Sequence, residues 1–412
     1  MFERKLAAFI KTGSLTIIRT NGRRIHLGET IDSSPQLTVV VRLTRRFVAL
    51  KLMLRPDLYF GEAYMDGALV IEQGTLWDLF KLCGQNFVNQ RLWRRPWFVR
   101  IFRTVARPFQ QHNSLRAARR NVAHHYDLSE LLFRAFLDDD MQYSCAYFRD
   151  PLLTLDEAQQ AKKRHIIAKL LLEPGHRVLD IGCGWGGLAI SIAQAEAVQT
   201  TAVTLSKKQL SVARSRAKDA EVDHRVTFEP KDYREISGSF DRIVSVGMFE
   251  HVGRPNYQAF FNKISALLTD EGVALMHSIG RMDGPGLTQA WTRKYIFPGG
   301  YIPALSEVLP AVERAGLWVT DIEILRLHYA ETLRAWRERF LENLSLLQGA
   351  YDERFRRMWE FYLAGSEMAF RYDNLMVFQL QLAKRVDAVP LTRDYIFEHE
   401  RVKDAAQTRA PA

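Results

Sequence analysis

The residues of this chain that point most directly to chemistry lie in the stretch VLDIGCGWGGLAI. Asp180 ends an apolar run of strand length. Four glycines follow before a helical pattern begins, at Gly182, Gly184, Gly186 and Gly187. Glycines permit a tight turn and let backbone N–H groups approach a ligand closely. The spacing G-x-G-x-G-G departs from the dinucleotide-binding G-x-G-x-x-G, so we expect a ligand other than NAD at this turn.

The end of the next apolar run also argues against NAD. Thr204, Leu205 and Ser206 stand where a dinucleotide-binding chain carries the Asp or Glu that binds the ribose. Taken alone, a glycine-rich turn can be no more than a tight connection between a strand and a helix. The series of strand-like runs around this turn favours a ligand site.

These residues are set in an alternation of strand-like and helical segments that begins near residue 176. The strand-like runs are RVLDIG, TTAVTLS, RVTFEP, DRIVSVGMF and GVALMHSIG, and helical stretches such as GGLAISIAQ and KKQLSVARSRAKD separate the first of them. This alternation predicts an α/β fold with a parallel sheet and helices on both faces, whose ligands bind at the carboxyl ends of the strands. Two later strand candidates, LWVTDIEILRL and MVFQLQLAK, enclose residues 331–372, which we interpret as a helical insertion covering one edge of the site.

The front of the chain predicts a small α+β domain over residues 1–90, followed by a basic linker over 91–120 and a catalytic domain over 121–412. Residues 15–26 and 36–54 are rich in β-forming residues, and TLWDLFKLC is an amphipathic helical stretch. Within the linker, the segment WRRPWFVRIFRTVARPF (residues 93–109) predicts a short amphipathic helix. Its basic stripe is formed by Arg100, Arg103 and Arg107.

The net charge of +10 is concentrated at this front end. Residues 1–120 contain 21 Lys and Arg against 8 Asp and Glu, whereas the remainder contains 36 against 39. Such a basic surface indicates an anionic partner, either nucleic acid or an anionic membrane. We find no RNP-type motif, zinc finger or clear helix-turn-helix, so we expect no nucleic acid as partner. The amino terminus lacks a signal-peptide pattern and no run is long enough to span a membrane. We therefore expect a cytoplasmic protein that associates peripherally with the inner face of the membrane.

Several ordered motifs resemble those of one enzyme family. LDIGCGWGG resembles the first motif of S-adenosylmethionine-dependent methyltransferases. With HYDLS at 125, MQYSCAYF at 141, TLSKKQ at 204, GMFEHVG at 247, HSIG at 277, KYIFPGG at 294 and HYAETLRAW at 328, the chain resembles the cyclopropane fatty acid synthases and mycolic acid cyclopropane synthases. The resemblance covers roughly residues 120–385, and GEAYMDG extends it weakly into the front domain. It implies a Rossmann-like methyltransferase sheet with a helical insertion.

The resemblance also implies which residues bind S-adenosylmethionine. They fall in four groups: Tyr143 and Ser144 at the methionine end; Gly182 and Gly184 facing the homocysteine portion; Thr204, Leu205 and Gln209 beside the ribose; and Asp232 and Tyr233 around the adenine. Asp180 and Gly186, in the same turn as Gly182 and Gly184, are also expected to bind the cofactor. Gln209 replaces the usual acid. Many members carry Trp at the position of Tyr233, and a tyrosine can still stack on the base.

The family's reaction transfers a methyl group to a cis double bond of a fatty acyl chain and then removes one proton, so that a cyclopropane ring closes. In related enzymes the base is a bound bicarbonate. By resemblance, the residues that hold it here are Cys145, Glu250, His277, the backbone of Ile279, and Tyr329. Taken singly, each of these residues could be structural. We do not interpret Cys145 as a nucleophile, because this chemistry needs no covalent enzyme intermediate.

The sequence leaves alternatives open. The same carbocation could give a methyl- or methylene-branched chain, or be trapped by water as a hydroxylated chain. The chain could also be a lipid-binding protein that has lost catalysis, although the intact motifs argue against it. We expect no metal, because the adjacent His124 and His125 lack a third ligand at metal spacing. The family suggests a homodimer acting on unsaturated phospholipid in an anionic membrane surface.

Overall fold

The computed structural model describes residues 2–28, 37–89 and 129–409. The amphipathic helix predicted over residues 93–109 lies outside the described residues, as do His124, His125 and the first four residues of the HYDLS motif. The described chain forms two compact units. The first contains the residues up to 89 together with 287–298 and 330–375, and the second contains 129–286, 299–329 and 376–409. The domain boundaries at 90 and 120 stay predictions.

The first unit contains a four-stranded sheet with the order β2-β1-β3-β4. Its strands are β1 (Ser14–Ile18), β2 (Arg24–Leu27), β3 (Thr38–Leu43) and β4 (Leu69–Gln73). Strand β1 pairs with β2 in antiparallel and with β3 in parallel orientation, and β3 pairs with β4 in antiparallel orientation. The alternating burial along β3 indicates that one face of this strand packs on the core of the unit.

Helices surround this small sheet. They are α1 (Phe2–Phe9), α2 (Val48–Leu54), α3 (Pro56–Met65), α4 (Leu76–Asn89), α10 (Ala290–Tyr295), and the long helices α12 (His328–Glu342) and α13 (Glu353–Tyr372). The β-rich run predicted over residues 36–54 is wrong beyond Leu43, because Val48–Leu54 is helical. Most β-branched residues of this run lie before Leu43, whereas VALKLML is rich in Leu, Lys and Met, which favour helices.

The predicted helical insertion is confirmed in its secondary structure by α12 and α13. Helix α13 packs against α3 and α4 of the same unit. Phe361 forms the centre of an aromatic cluster, with ring centroids 5.2 Å from Phe60, 5.1 Å from Phe80 and 4.7 Å from Trp291. A side chain at Gly61 would collide with Trp291, so this glycine permits the close packing. The expectation that the insertion covers one edge of the site stays a prediction.

The second unit is built on a seven-stranded sheet with the order β10-β11-β9-β8-β5-β6-β7. The strands are β5 (Arg177–Ile181), β6 (Gln199–Val203), β7 (Val226–Glu229), β8 (Phe240–Val246), β9 (Leu268–Arg281), β10 (Trp318–Leu325) and β11 (Leu375–Ala383). The five strands from β5 to β9 pair in parallel, and β10 pairs with β11 in antiparallel orientation. The predicted α/β fold with a mostly parallel sheet is therefore confirmed.

Helices cover both faces of this sheet. They are α5 (Glu130–Phe136), α6 (Leu155–Leu170), α7 (Gly187–Ala195), α8 (Lys207–Asp219), α9 (Tyr257–Leu267), α11 (Leu305–Arg314) and α14 (Asp394–Arg409). Neighbouring residues of β5 enter opposite cores, because side chains alternate along a strand. Val178 packs with residues of α6 and α7, and Leu179 packs with residues of α9 and α11. None of the described helices is long and apolar enough to cross a membrane.

Candidate active site

A cavity opens beyond the carboxyl ends of β5, β6 and β8 in the second unit. It is lined by all the residues predicted to bind the cofactor except Gly186: Tyr143, Ser144, Asp180, Gly182, Gly184, Thr204, Leu205, Gln209, Asp232 and Tyr233. Parallel α/β sheets place their ligand sites at this edge, because the loops that follow the strands converge there. The cavity therefore gathers residues that are far apart in the sequence.

The glycine-rich turn after β5 has three glycines at positive φ, each with a different neighbourhood. A Cβ at Gly182 would lie 2.8 Å from the Cβ of Met248, whereas a Cβ at Gly184 would meet no atom within 4 Å. Gly184 therefore faces open space, as a ligand-facing glycine should. Gly186 does not line the cavity. A Cβ there would lie 2.8 Å from Ala213, so Gly186 permits close packing against α8. Its contact with the cofactor stays a prediction.

Asp180, at the end of β5, presents an unpaired acceptor in the cavity wall. Its side chain is buried, and its Oδ2 atom has no hydrogen-bond partner. Burial raises the pKa of Asp180 to about 7, although the nearby Lys162 ammonium acts in the opposite direction. A cationic or hydrogen-bond-donating ligand would satisfy this oxygen. S-adenosylmethionine carries an ammonium group and a sulfonium, so the residues here fit that cofactor.

Lys162, on α6, supports the cavity wall from behind. Its side chain is fully buried, and its Nζ donates to Gln142 Oε1 at 2.6 Å and to Ser144 Oγ at 2.9 Å. Burial lowers the pKa of this lysine to about 8, and the charge of Asp138 acts against that shift. Sequence reasoning missed Lys162, because nothing in a helical pattern distinguishes a buried lysine from an exposed one.

The opposite end of the cavity contains the residues predicted to face the ribose and the adenine. Thr204 Oγ1 donates to Gln209 Oε1 at 3.2 Å, which orients the amide that replaces the usual acid. Arg234 engages both carboxylate oxygens of Asp232 at 2.8 Å. The Asp232 carboxylate is thus already paired within the chain, which the sequence did not reveal. Tyr233 is largely buried against Phe260, with ring centroids 5.2 Å apart.

Glu250 lies just beyond the end of β8, in the 3₁₀ turn Phe249–His251. Its side chain is buried. The backbone N–H of Ile279 donates to Glu250 Oε1 at 2.7 Å, and Oε2 has no hydrogen-bond partner. Burial raises the pKa of Glu250 to about 7, and the bond from Ile279 only partly offsets this effect. Its chain neighbours Met248 and His251 line the cavity, whereas Glu250 itself does not.

The backbone of Ile279 is engaged within the chain. Its N–H donates to the Glu250 carboxylate, and its carbonyl accepts from Ser278 Oγ at 3.1 Å. A contact of this backbone with bicarbonate stays a prediction. The structure brings Glu250 and Ile279 together as a pair in which the backbone orients the carboxyl group.

His277 lies within β9, opposite Val246 at the end of β8. Its ring is buried, and burial lowers its pKa to about 3, so the imidazole is neutral near neutral pH. Gln379 Nε2 lies 3.2 Å from His277 Nδ1. Cys145 is fully buried, and its thiol donates to the Ala146 carbonyl at 3.3 Å. Tyr329 is buried in the same unit. A joint action of Cys145 and Tyr329 with Glu250 and His277 stays a prediction.

Other residues of the cavity wall were not predicted. They include Met141, Gln142, Trp185, Lys231, Arg234, Met248, His251 and Val252. His251 follows Glu250 in the motif GMFEHVG, and burial lowers its pKa to about 4. The adjacency to Glu250 was the one signal by which His251 could have been found from the sequence.

The comparisons with known proteins agree with this site. The family model for mycolic acid cyclopropane synthetase matches residues 113–380. The chain is 34% identical to a probable fatty acid methyltransferase of Pseudomonas putida over 88% of this chain and 90% of that protein. It is 38% identical to the cyclopropane-fatty-acyl-phospholipid synthase of Escherichia coli strain K12, over 82% of this chain and 86% of that protein.

A solved structure gives the same result. The mycolic acid cyclopropane synthase CmaA1 complexed with SAH and CTAB superposes with a TM-score of 0.59 at 33% identity, covering 64% of this chain and 97% of that one. The fold and the cavity thus define an S-adenosylmethionine-dependent methyltransferase. Within that class, the chain belongs to the mycolic acid cyclopropane synthetase family.

Proposed function

We propose that this enzyme transfers a methylene group from S-adenosylmethionine to the cis double bond of an unsaturated acyl chain of a membrane phospholipid, forming a cyclopropane ring. The observation that carries the proposal is the buried carboxyl group of Glu250, whose chain neighbours Met248 and His251 line the cofactor cavity. One of its oxygens is fixed by Ile279, and the other is left without a partner. Methyl transfer to a double bond leaves a carbocation, so a proton must still be removed before a neutral ring forms, and we assign Glu250 to that step.

Ring formation requires two events at the double bond. The π electrons form a carbon–carbon bond to the methyl group as the carbon–sulfur bond breaks, which leaves a carbocation on the acyl chain. A base then removes one proton from the new methyl group, and the electrons of that C–H bond close the ring. S-adenosylmethionine supplies the methyl group on its sulfonium. We assign its binding to the residues that line the cavity, with Asp180 Oδ2 as acceptor at the amino-acid end and Gln209 beside the ribose.

The aromatic residues of the cavity suit this chemistry. Tyr143 and Trp185 line it, and both pack edge-on against Phe133, with ring centroids 5.5 Å and 5.6 Å away. An aromatic wall stabilises a cation through its negative face. Exclusion of water protects a carbocation from being trapped as an alcohol. These rings therefore favour loss of a proton over hydroxylation.

We propose that a bicarbonate ion is the base, held by Cys145, Glu250, His277 and Tyr329. Side chains of this site can donate hydrogen bonds, which favours the binding of an anion. With a pKa raised to about 7, Glu250 can be protonated near neutral pH and can then donate through Oε2. Neutral His277 also has one N–H to donate. The role of Ile279 in this proposal is to orient the Glu250 carboxyl group.

Removal of bicarbonate tests this assignment. Turnover is measured in buffer freed of carbon dioxide and again after addition of sodium bicarbonate, with sodium chloride at the same ionic strength as control. We expect activity to fall on removal and to return only with bicarbonate. Equal activity in both buffers would contradict the role of the ion while leaving methyl transfer intact.

The basic segment of residues 93–109 is our candidate for membrane attachment. Its arginines would meet anionic headgroups and its aromatic residues would enter the headgroup boundary, with each cation contributing on the order of 1 kcal/mol. This assignment depends on the sequence alone, because the segment lies outside the described residues. A cytoplasmic, peripheral location and a homodimer are part of the same proposal.

Charge reversal tests the membrane contact. The triple variant Arg100→Glu, Arg103→Glu and Arg107→Glu should lose co-sedimentation with anionic vesicles and lose activity on them, with cofactor affinity unchanged. A matched control reverses three exposed lysines of α8: Lys207, Lys208 and Lys218. If both triple variants sediment like the unmodified protein, the membrane contact does not reside in residues 93–109.

A second product has support as well. The Pseudomonas putida relative is named a probable fatty acid methyltransferase, so a methyl- or methylene-branched chain is the alternative outcome of the same carbocation. The ring and the methylene branch each add one CH₂ to the chain, so mass alone does not separate them. Proton NMR of the purified lipid does, because only the cyclopropane has ring protons.

A further inference from the structure

A row of buried polar side chains runs from His277 through the second unit. Gln379, on β11, is fully buried, and its Nε2 lies 3.2 Å from His277 Nδ1. Its Oε1 accepts a hydrogen bond of 2.8 Å from Lys169 Nζ. Burying an amide, a lysine and an imidazole together is costly unless each finds its partners. The hydrogen bonds within this row therefore offset the cost of burying these polar side chains.

Lys169 is held as a cation by acids on β10. Its side chain is fully buried, and its Nζ bonds to Glu323 and lies 3.8 Å from Asp321. Glu323 Oε2 also lies 2.6 Å from His165 Nε2. Burial alone would raise the pKa of Glu323, but His165 and Lys169 outweigh it and hold that pKa well below its usual range. Burial lowers the pKa of Lys169, and the ionised Glu323 acts in the opposite direction and so favours the ammonium.

This ammonium decides how the Gln379 amide is oriented. A lysine ammonium has only donors, so it must face the amide oxygen. The amide NH₂ then points to His277, and it can donate only to an unprotonated Nδ1. Because the imidazole of His277 is neutral near neutral pH, its single proton must lie on Nε2. The hydrogen bonds thus fix one of the two tautomers.

We propose that Lys169 and Gln379 are positioning residues that lock His277 as the Nε2–H tautomer, so that Nε2 donates a hydrogen bond to the anionic base. The inference rests on the proposed function, in which His277 helps to hold bicarbonate. In the other tautomer, Nε2 would present a lone pair to the anion and repel it. Partners on the far side of a metal-binding histidine affect metal affinity or activity by about 10- to 100-fold, and we expect an effect of similar size here.

Nitrogen NMR of protein labelled with ¹⁵N-histidine reads the tautomer directly. A His277→Asn spectrum assigns the His277 signals. We expect Nε2 to carry the proton in the unmodified protein. Gln379→Met removes the donor at similar volume, so it should give a mixture of tautomers and lower kcat by about 10-fold or more, with cofactor affinity unchanged. Gln381→Met is the matched control. Gln381 is two residues further along the same strand, is equally buried, and bonds to Lys169 O and Tyr395 instead.

Gln379→Glu provides an independent test if Gln379→Met fails to fold. A carboxylate has only acceptor atoms, so it would accept a hydrogen bond from His277 as well as from Lys169. Nδ1 of His277 should therefore gain a proton. A proton on Nδ1 in the unmodified protein, or an unchanged tautomer and unchanged kcat in both Gln379 variants, would overturn the inference. The proposed function fails separately. If Nε2–H is observed but activity does not depend on bicarbonate, the tautomer lock stands and the bound base is wrong.

Discussion

Replacement of Glu250 by glutamine should make the protein more stable and less active. Burial raises the pKa of the Glu250 carboxyl from 4.5 to about 7, so ionising it in the folded protein is costly. At about 1.4 kcal/mol per pH unit, the cost reaches about 3 kcal/mol. Glutamine is neutral at every pH. Its carbonyl oxygen can keep the hydrogen bond from Ile279 N–H, so the variant avoids this cost.

The sign of the pH dependence follows from which state of the protein, folded or unfolded, releases the Glu250 proton at the lower pH. Below about pH 4.5 the carboxyl is neutral in the folded and the unfolded protein, so its ionisation costs nothing. Between 4.5 and about 7 only the unfolded chain releases the proton, so the folded protein loses stability as the pH rises. Above about 7 the loss is constant. The stabilisation by Glu250→Gln should therefore grow over this window and then level off.

Chemical denaturation of both proteins across about pH 5 to 8 measures this difference. The free energy of unfolding of the variant should exceed that of the unmodified protein by under about 1 kcal/mol at pH 5 and by about 3 kcal/mol at pH 8. Turnover should fall by about 10²–10⁴-fold, the scale of a positioned acid or base. Glu313→Gln, at an exposed position on α11, is the control and should change stability by less than about 0.5 kcal/mol at any pH. A Glu250→Gln protein that is less stable at pH 8 would refute the reasoning.

Three further predictions concern the cofactor and the base. Gly184→Val should greatly weaken S-adenosylmethionine binding in calorimetry while the fold persists, because a side chain there enters the cavity; unchanged affinity would remove Gly184 from the cofactor site. Tyr329→Phe should slow turnover by about 10²–10⁴-fold with little change in cofactor affinity. Cys145→Ser should keep appreciable activity, because a hydroxyl can replace a thiol in hydrogen bonding; if it proved as inactive as Tyr329→Phe, a covalent role for the cysteine would have to be reconsidered.

The strands of the second unit could be predicted because each of them is encoded by a short continuous stretch of sequence. Runs such as RVLDIG and DRIVSVGMF are apolar over the length of a strand, and turns and amphipathic helices separate them, so each became a strand. The same reasoning gave a wrong prediction at residues 48–54. The sequence suggested that the strand β3 continues there, but the residues after Leu43 favour a helix. The grouping of residues 330–375 with the first unit depends on contacts between distant segments, which a linear pattern does not contain.

Some residues of the candidate site could likewise be predicted from the sequence, and others could not. Gly182 and Gly184 stand in a recognisable turn, so the sequence exposes them. Lys162 and Gln379 do not, because a polar residue in an apolar pattern has no mark that tells a buried partner from an exposed side chain. Their partners lie on other segments of the chain, such as Ser144, in the loop between α5 and α6, for Lys162. Only the folded chain shows that these polar groups are satisfied.

The product formed by the purified enzyme tests the central claim most directly. The protein is incubated with S-adenosylmethionine carrying a ¹³C-labelled methyl group and with vesicles of phospholipid that contains cis-unsaturated acyl chains. The lipid is then extracted and analysed by proton and carbon NMR. We predict that the label appears as the CH₂ of a cyclopropane ring, with loss of the two vinylic protons. Label in a methyl or exocyclic methylene branch, or no label in the lipid, would contradict the account.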